Sequence, residues 1–260
     1  MDKMDSKLNK VLKGLPQGTV ATQAWLEKLG VYRQLARRYL SSGWLEHFGR
    51  GAFIRAGDSV DWLGAVHALH EQLGLDVHVA GETALLLKGL GHFMPLGNRQ
   101  IVYLFGGKRE RLPSWFIRYS WAVQIDYRCP RLFDRPGGFA IGHIEQGRFS
   151  VRAASPERAV LEAIYLASTN PALEHAHQVM NGLATLRPDI VQRLLQGCRS
   201  VRVKRYFLWS AEKCGHAWFQ KLDVARVDLG KGKRQLFKNG AFDAKYQITV
   251  PPRTEPLPRV

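Results

Sequence analysis

The chain has 260 residues, 45% of them hydrophobic, and its 38 basic residues exceed its 22 acidic residues to give a formal charge of +16. This size allows two domains with buried cores, and the charge points to a polyanionic partner, either a nucleic acid or an acidic protein. No segment approaches the ~20 apolar residues that span a membrane, and three cysteines without C-x-x-C spacing argue against a disulfide framework.

The excess positive charge lies at the two ends of the chain. Residues 1–57 carry ten basic and four acidic residues, and residues 199–260 carry fourteen and five, whereas residues 58–198 are nearly balanced. The N-terminus lacks the apolar core of a signal peptide. We therefore expect a cytoplasmic protein in which a neutral scaffold separates two basic regions.

The first 57 residues have the pattern of a winged helix-turn-helix. Apolar residues at helical spacing over 4–14 predict a first helix, and Thr22 can cap a short second helix that stops at Gly30. The segment RQLARRYLSS predicts a third helix, and two apolar runs around Gly49-Arg50-Gly51 predict a β-hairpin. This order predicts a DNA-binding domain over residues 1–57.

The remaining residues, 58–260, alternate between helix and strand patterns. DWLGAVHALHEQLG predicts a helix, and DVHVAGETALLLKGLG predicts a short strand, a tight turn at Gly81 and another helix. Four β-rich runs follow, one of which is WFIRYSWAVQIDY, before Ser155 and Pro156 begin a new helix. Three further helical patterns cover 172–183, 188–197 and 200–214. With AKYQITVP as a closing strand, the pattern predicts a larger α+β domain.

The third predicted helix carries a polar stripe that suits the major groove of DNA, while its apolar residues turn the other way. Arg33, Gln34 and Arg37 are candidates for base contacts, because Arg and Gln make bidentate hydrogen bonds with guanine and adenine. Arg38 is better placed for phosphate, and Arg50 at the hairpin tip for the backbone or a minor groove. The predicted DNA-binding residues are Arg33, Gln34, Arg37, Arg38, Ser41 and Arg50. The alternative is that this charged face is only solvated.

A second basic surface is predicted near the C-terminus, where it could contact phosphates or an acidic partner. Its candidate residues are Arg202, Arg205, Lys231, Lys233, Arg234 and Lys238. The alternative is that these long side chains only solvate the rim of a core.

The sequence does not favour an enzyme or a metal site. Asp126 lacks the D-x-D or D-x-E partner with which a nucleotidyltransferase holds magnesium. His67, His70 and Glu71 match neither of the zinc motifs H-E-x-x-H and H-x-x-E-H. We therefore expect no catalytic residue, no metal and no cofactor.

Several segments together resemble the AbiEi family, the antitoxins of type IV toxin–antitoxin (abortive infection) systems. They are VATQAWLEKLGVYRQLARRYLSSGWLEHFGRGAFIRAGD, HVAGETALLLKGLGH, SPERAVLEAIY and GKGKRQLFKNGAFDAKYQITVP. The resemblance implies a winged helix that represses its own operon by binding operator repeats of double-stranded DNA. It also implies a C-terminal domain, distantly nucleotidyltransferase-like in fold, that counters a nucleotidyltransferase-like toxin, directly or indirectly. Antitoxin action is then expected within residues 58–260.

The sequence leaves three hypotheses. The first is a DNA-binding autorepressor and antitoxin of this type. The second is a winged-helix scaffold or RNA-binding protein without antitoxin activity. The third is a cryptic nucleotidyltransferase that depends on Asp126.

Overall fold

The structure is a computed structural model that describes residues 2–91, 100–108, 110–134 and 138–252, with side chains from residue 7 onward. The described residues form two compact units. The first contains residues 2–79, 100–130 and 142–153, and the second contains the rest. No helix in these ranges is long and apolar enough to cross a membrane.

The first unit begins with the predicted winged helix. Its elements are α1 (Asp2–Gly14), β1 (Ala21–Thr22), α2 (Gln23–Lys28), α3 (Arg33–Ser41), β2 (Leu45–Gly49) and β3 (Ala52–Arg55). The three strands form an antiparallel sheet in the order β1-β3-β2. The prediction of three helices followed by a hairpin is confirmed, and the two-residue strand β1 joins the hairpin as a third strand.

Local signals in the sequence set the ends of these helices. The Thr22 side chain accepts a hydrogen bond from the backbone N–H of Trp25 and so caps α2. Gly30 follows α2 with a φ of 76°, a conformation that glycine adopts at little cost. The guanidinium of Arg55 donates to the carbonyls of Leu12 and Leu15 at 2.6 and 2.8 Å, where α1 ends and its carbonyls lack helical partners.

The rest of the first unit is built around a mixed sheet. Its elements are α4 (Trp62–Glu71), β4 (Val77–Val79), β5 (Ile101–Gly106), α6 (Ser114–Arg118), β6 (Gln124–Arg128), β7 (Ile141–Gln146) and β8 (Phe149–Ala154). The strand order is β6-β5-β4-β8-β7. β4 runs antiparallel to β5 and parallel to β8, and β5 runs parallel to β6. The expectation of one β-rich run over WFIRYSWAVQIDY was wrong for its first half, which forms α6. Trp115 and Phe116 are both buried by this short helix, so its apolar content serves a core rather than a strand.

A buried glutamine joins the winged helix to α4. Gln72 is 5% exposed and directly follows α4. Its amide nitrogen donates to the carbonyl of Val20 at 2.6 Å, and its amide oxygen accepts from the backbone N–H of Thr22 at 2.8 Å. These two bonds satisfy backbone groups of the β1 segment that have no strand on this side. In the same helix, a Cβ on Gly64 would lie 1.8 Å from the carbonyl oxygen of Gly18, so only glycine fits where α4 packs against the backbone of Gly18.

The second unit is mostly helical. Its elements are α5 (Gly81–Leu87), α7 (Pro156–Leu166), α8 (Asn170–Asn181), α9 (Pro188–Gly197) and α10 (Val201–Cys214), with two short 3₁₀ helices, Ala217–Lys221 and Val224–Arg226. The antiparallel strands β9 (Ala241–Asp243) and β10 (Ile248–Val250) complete it. The Ser155 hydroxyl caps α7 and Pro156 occupies its first turn, as predicted. Together the two units give the predicted α+β fold class, but the distant nucleotidyltransferase likeness is not confirmed.

Helix α7 carries a buried carboxylate with a strong partner. Glu157 is 2% exposed and accepts hydrogen bonds from the backbone N–H and the guanidinium of Arg187 at 2.8–3.1 Å. Burial by itself raises the pKa of Glu157, but the hydrogen bonds from Arg187 and Ser155 outweigh burial and lower that pKa to about 2. Glu157 therefore stabilises the second unit in its charged form.

The division into residues 1–57 and 58–260 concerns where each function resides. The boundaries of the compact units differ from this division, because the mixed sheet that begins after residue 57 lies in the same unit as the winged helix. Compactness does not test the functional division, which stays a prediction.

We expect Gln72→Leu to lower the free energy of unfolding by about 2–5 kcal/mol, because it leaves a buried N–H and a buried carbonyl without partners. Urea unfolding followed by circular dichroism measures the loss. Gln192→Leu is the matched control, since Gln192 makes the same pair of bonds to the backbone of Asp223 in an exposed position where water can replace it. Equal losses in the two variants would contradict the importance of burial.

The variant Glu157→Gln tests whether the charge of the Glu157 carboxylate stabilises the fold. Because the pKa of Glu157 falls from 4.5 to about 2 on folding, its stabilisation is complete above about pH 4.5 and is lost as the pH falls toward 2. The variant should be less stable than the parent by about 1.5–3 kcal/mol at pH 7. The difference should shrink below pH 4.5, as measured by urea unfolding between pH 2.5 and 7. A deficit that stayed constant across this range would show that charge plays no part, and Glu174→Gln, at an exposed position of the same unit, is the matched control.

Candidate nucleic-acid interface

Helix α3 packs against the rest of the winged helix with one side only. Ala36 and Tyr39 are 1% and 3% exposed and belong to a core cluster with residues of α1, α2 and both hairpin strands. Leu35 and Leu40 pack against the same cluster. The apolar side of α3 therefore faces the core, as its spacing predicts, and the polar side is left to the surface.

The predicted DNA-binding residues all lie on the surface. The exposed side chains are Arg33, Gln34, Arg37, Arg38, Ser41 and Arg50. Among the side chains from residue 7 onward that the structure describes, no carboxylate forms an ion pair with any of these four arginines. The Ser41 hydroxyl donates to the carbonyl of Arg38 at 3.0 Å, which ties it to its own helix and leaves its oxygen as an acceptor. The result is a cationic helix face without internal counter-charges.

An aromatic residue at the start of α3 was missed by the sequence analysis. Tyr32 is 66% exposed and occupies the N-cap position, where its side chain makes no capping hydrogen bond. Small polar residues are preferred there because they satisfy the free N–H groups of the first turn. A tyrosine at a position that normally carries a small polar cap, and next to Arg33, could have indicated an exposed contact residue in the sequence. Trp44, 49% exposed just after α3, is a second aromatic side chain on this part of the unit.

The hairpin β2–β3 presents Arg50 at its tip. Gly51 follows with a φ of 73°, which suits glycine in a tight turn. The pairing register shifts between His47 and Gly49, so the end of β2 carries a bulge. Arg50 is exposed beside this bulge, as predicted.

The hairpin also packs against α6 of the same unit. Phe48 stacks on Tyr119 with ring centroids 4.3 Å apart, and it lies 6.0 Å from both Trp115 and Trp121. A Cβ on Gly49 would lie 2.8 Å from the Cβ of Trp115, so the hairpin could not approach α6 this closely with any other residue. These contacts fix the position of the hairpin that carries Arg50.

The predicted second basic surface is only partly a surface. Arg205 is 3% exposed and donates hydrogen bonds to four carbonyls, those of Leu229, Gly230, Gly232 and Gln247. Arg202 is partly buried and donates to the carbonyls of Ile164, Tyr165 and Ala167. The expectation of a surface role for these two residues was wrong. Their helix, α10, packs against both α7 and α8, so these two arginines are drawn into the unit, where they bind backbone carbonyls.

Four of the predicted residues do lie on the surface, namely Lys231, Lys233, Arg234 and Lys238. The loop that carries the first two turns at Gly230 and Gly232, both with positive φ. The Arg205 guanidinium binds the carbonyls of these two glycines at 3.1 and 2.6 Å. A buried cation therefore holds the loop that displays the exposed ones.

Two carboxylates, those of Asp126 and Glu82, are the acidic groups to compare with a nucleotidyltransferase metal site, and both have structural partners. Asp126 accepts two hydrogen bonds from Arg128 at 2.7 and 2.8 Å, within strand β6. Glu82 lies 3.2 Å from the imidazole of His175 in the second unit. Neither arrangement supplies the paired carboxylates that hold magnesium beside a phosphate.

Comparisons with known proteins agree with this geometry. Residues 4–96 match a family model described as the N-terminal domain of a transcriptional regulator, AbiEi antitoxin. Residues 99–251 match a second model, described as a transcriptional regulator, AbiEi antitoxin, of a type IV toxin–antitoxin system. No match was found among curated proteins.

The fold is shared with a protein of known structure. The crystal structure of the RV2827C protein from Mycobacterium tuberculosis matches with a TM-score of 0.54 and 16% sequence identity, over 95% of this chain and 91% of that chain. At this identity the likeness concerns the fold. The two family models together cover nearly the whole length, and the chain belongs to the AbiEi family of antitoxins and transcriptional regulators of type IV toxin–antitoxin systems.

Proposed function

We propose that this protein is a cytoplasmic autorepressor that binds operator repeats of its own operon through α3 and the β2–β3 hairpin. The observation that carries the proposal is the exposed face of α3, whose arginines lack carboxylate partners among the described side chains while its apolar side is held in the core. Membership of a family of transcriptional regulators supports the same role.

The roles of the single residues follow from their positions. Arg33, Gln34 and Arg37 lie toward the first turns of α3, which is the part of a recognition helix that reaches base edges. Arg38 and Arg50 bind phosphates on either side, and Ser41 accepts or donates at the far end of the helix. Tyr32 is a further candidate, because an exposed ring at this end of the helix can pack on a sugar or a thymine methyl group.

We also propose that the chain counters a partner toxin of nucleotidyltransferase type, and that this action resides in residues 58–260. The exposed cations of the 230–238 segment support a role for this segment in binding an acidic surface of the toxin or a nucleic acid on which the toxin acts. Because Arg205 fixes the loop from inside, these cations keep a defined arrangement. We propose no enzymatic activity for the chain itself.

The recognition helix is tested by the double variant Arg33→Ala with Arg37→Ala. Each lost base contact should cost about 1–3 kcal/mol, so operator affinity should fall by about 30-fold to about 20,000-fold when both are lost. Fluorescence anisotropy with the DNA upstream of the operon measures the loss. Arg37→Lys distinguishes a bidentate contact with a base from a contact that needs only positive charge, because lysine keeps the charge and cannot make two parallel hydrogen bonds.

The matched control is Arg131→Ala with Arg193→Ala, which removes the same charge from two exposed positions of the second unit. An equal loss in the control would mean that only the overall charge attracts DNA, and unchanged affinity in the test variant would refute the recognition helix. The salt dependence separates DNA binding from apolar docking to a protein, since log affinity should fall linearly with log salt with a slope of about −0.9 for each phosphate contact. Structured RNA of the same length is the competitor that tests the RNA-binding alternative.

The proposed antitoxin function is tested by Lys231→Glu with Lys233→Glu in cells that express the proposed partner toxin. We expect the variant to lose protection against growth arrest while it keeps repression of an operon reporter, because the two activities use different segments. The variant Arg33→Ala with Arg37→Ala should show the reverse. Loss of both activities in either variant, with unchanged stability, would contradict the division at residue 57.

A further inference from the structure

Three side chains of metal-binding type converge in the first unit, away from the proposed DNA contacts. His70 and Glu71 end α4, and His143 lies on β7 at the edge of the mixed sheet. One ligand atom from each residue lies within 4.8 Å of the other two. The His70 Nε2 atom is 3.7 Å from a Glu71 carboxylate oxygen, and the two imidazole centroids are 6.4 Å apart.

The hydrogen bonds of His70 leave the right nitrogen free for a metal. Its Nδ1 atom lies 3.2 Å from the carbonyl oxygen of Leu75 and 3.5 Å from a guanidinium nitrogen of Arg152. The carbonyl requires a proton on Nδ1, whereas the guanidinium, which can only donate, requires the lone pair there, and the shorter contact with Leu75 favours the proton on Nδ1. The Nε2 atom then carries the lone pair, and this atom faces Glu71. A backbone carbonyl bound to the second ring nitrogen is the usual support for a metal-binding histidine, because it fixes the tautomer and the ring orientation.

The surrounding charges permit a cation. Arg152 lies close to His70, with a guanidinium nitrogen 3.5 Å from Nδ1, but it pairs with Asp76 at 2.9 Å. Glu145 is exposed two residues after His143 on β7, so it lies on the same face of the sheet and adds negative charge there. The side chains of His70 and Glu71 are 30% and 48% exposed, so an ion can reach them from solvent.

We propose that His70, Glu71 and His143 form a Zn²⁺ site with three protein ligands and one position for water. Two imidazoles and one carboxylate are a donor set that zinc uses. Bonds of about 2.0–2.1 Å place tetrahedral donors about 3.4 Å apart, so rotamer adjustments of about 1 Å close the site around the ion. The local sequence could not reveal this site, because the third ligand comes from a strand more than seventy residues further along the chain.

The ion would tie the end of α4 to β7. This link matters because Gln72, next to Glu71, is the residue that clamps the β1 segment of the winged helix. Bound Zn²⁺ should therefore stabilise the first unit, since a ligand that binds only the folded state raises stability by mass action. This inference does not depend on the DNA-binding role.

Isothermal titration of the metal-free full-length chain with ZnCl₂ tests the proposal, with any histidine tag removed. The exposed Cys129 thiol is a competing ligand, so the parent for all comparisons is Cys129→Ser. We expect one Zn²⁺ ion per chain and a rise in Tm of about 5–10 °C at a hundredfold excess over Kd. Co²⁺ in the same site should give visible d–d absorption without the near-ultraviolet band of a thiolate ligand.

His143→Ala and Glu71→Gln should each weaken binding at least tenfold and abolish the rise in Tm, and both positions are exposed enough to leave the fold intact. The matched control is His47→Ala, an exposed histidine of the same unit that should leave binding unchanged. Absence of binding in the parent would overturn the proposal, as would equal losses in the control. A thiolate band with Co²⁺ would also overturn it, because it would assign the ion to the remaining cysteines.

Discussion

The position of the winged helix depends on one buried amide. Strand β1 has only two residues and pairs with β3 on one side, so its segment leaves backbone groups unpaired on the other. The Gln72 side chain supplies one donor and one acceptor to these groups, as a neighbouring strand would. Because both bonds are buried, water cannot replace them, and their loss costs more than a surface bond of the same geometry. The winged helix and the mixed sheet form one compact unit around this clamp.

This arrangement explains why α3 can be both exposed and ordered. A short helix is unstable alone, and most of its stability comes from packing one apolar face. Helix α3 obtains that packing from Ala36 and Tyr39, so the residues of its opposite face are not needed to stabilise the fold. The hairpin is fixed separately by Phe48 and Gly49 against α6, so Arg50 has a defined position as well. Affinity for DNA then does not have to offset the ordering of either element.

Much of the fold could be predicted because its signals are local. The caps Thr22 and Ser155 and the helix end at Gly30 depend on neighbours within a few residues. The errors arose where the partner is remote. Arg205 has the sequence context of a surface residue, and only the return of the chain at 229–247 buries it. The proposed role of His143 as a metal ligand is hidden in the same way, because the residues near it in sequence do not show that the fold places it beside the end of α4.

The basic residues of this chain therefore have two distinct physical roles, which net charge alone cannot separate. Arg55 and Arg205 bind backbone carbonyls that would otherwise lack donors, and so they hold a helix end and a loop in place. A guanidinium suits this task because it carries several donors in a fixed plane. Within the part of the chain that the structure describes, no carbonyl or carboxylate pairs with the side chains of Arg33 and Arg37, which remain available to a ligand. Part of the formal charge of +16 is thus used inside the fold, whereas α3, the hairpin tip and the 230–238 segment display exposed cations.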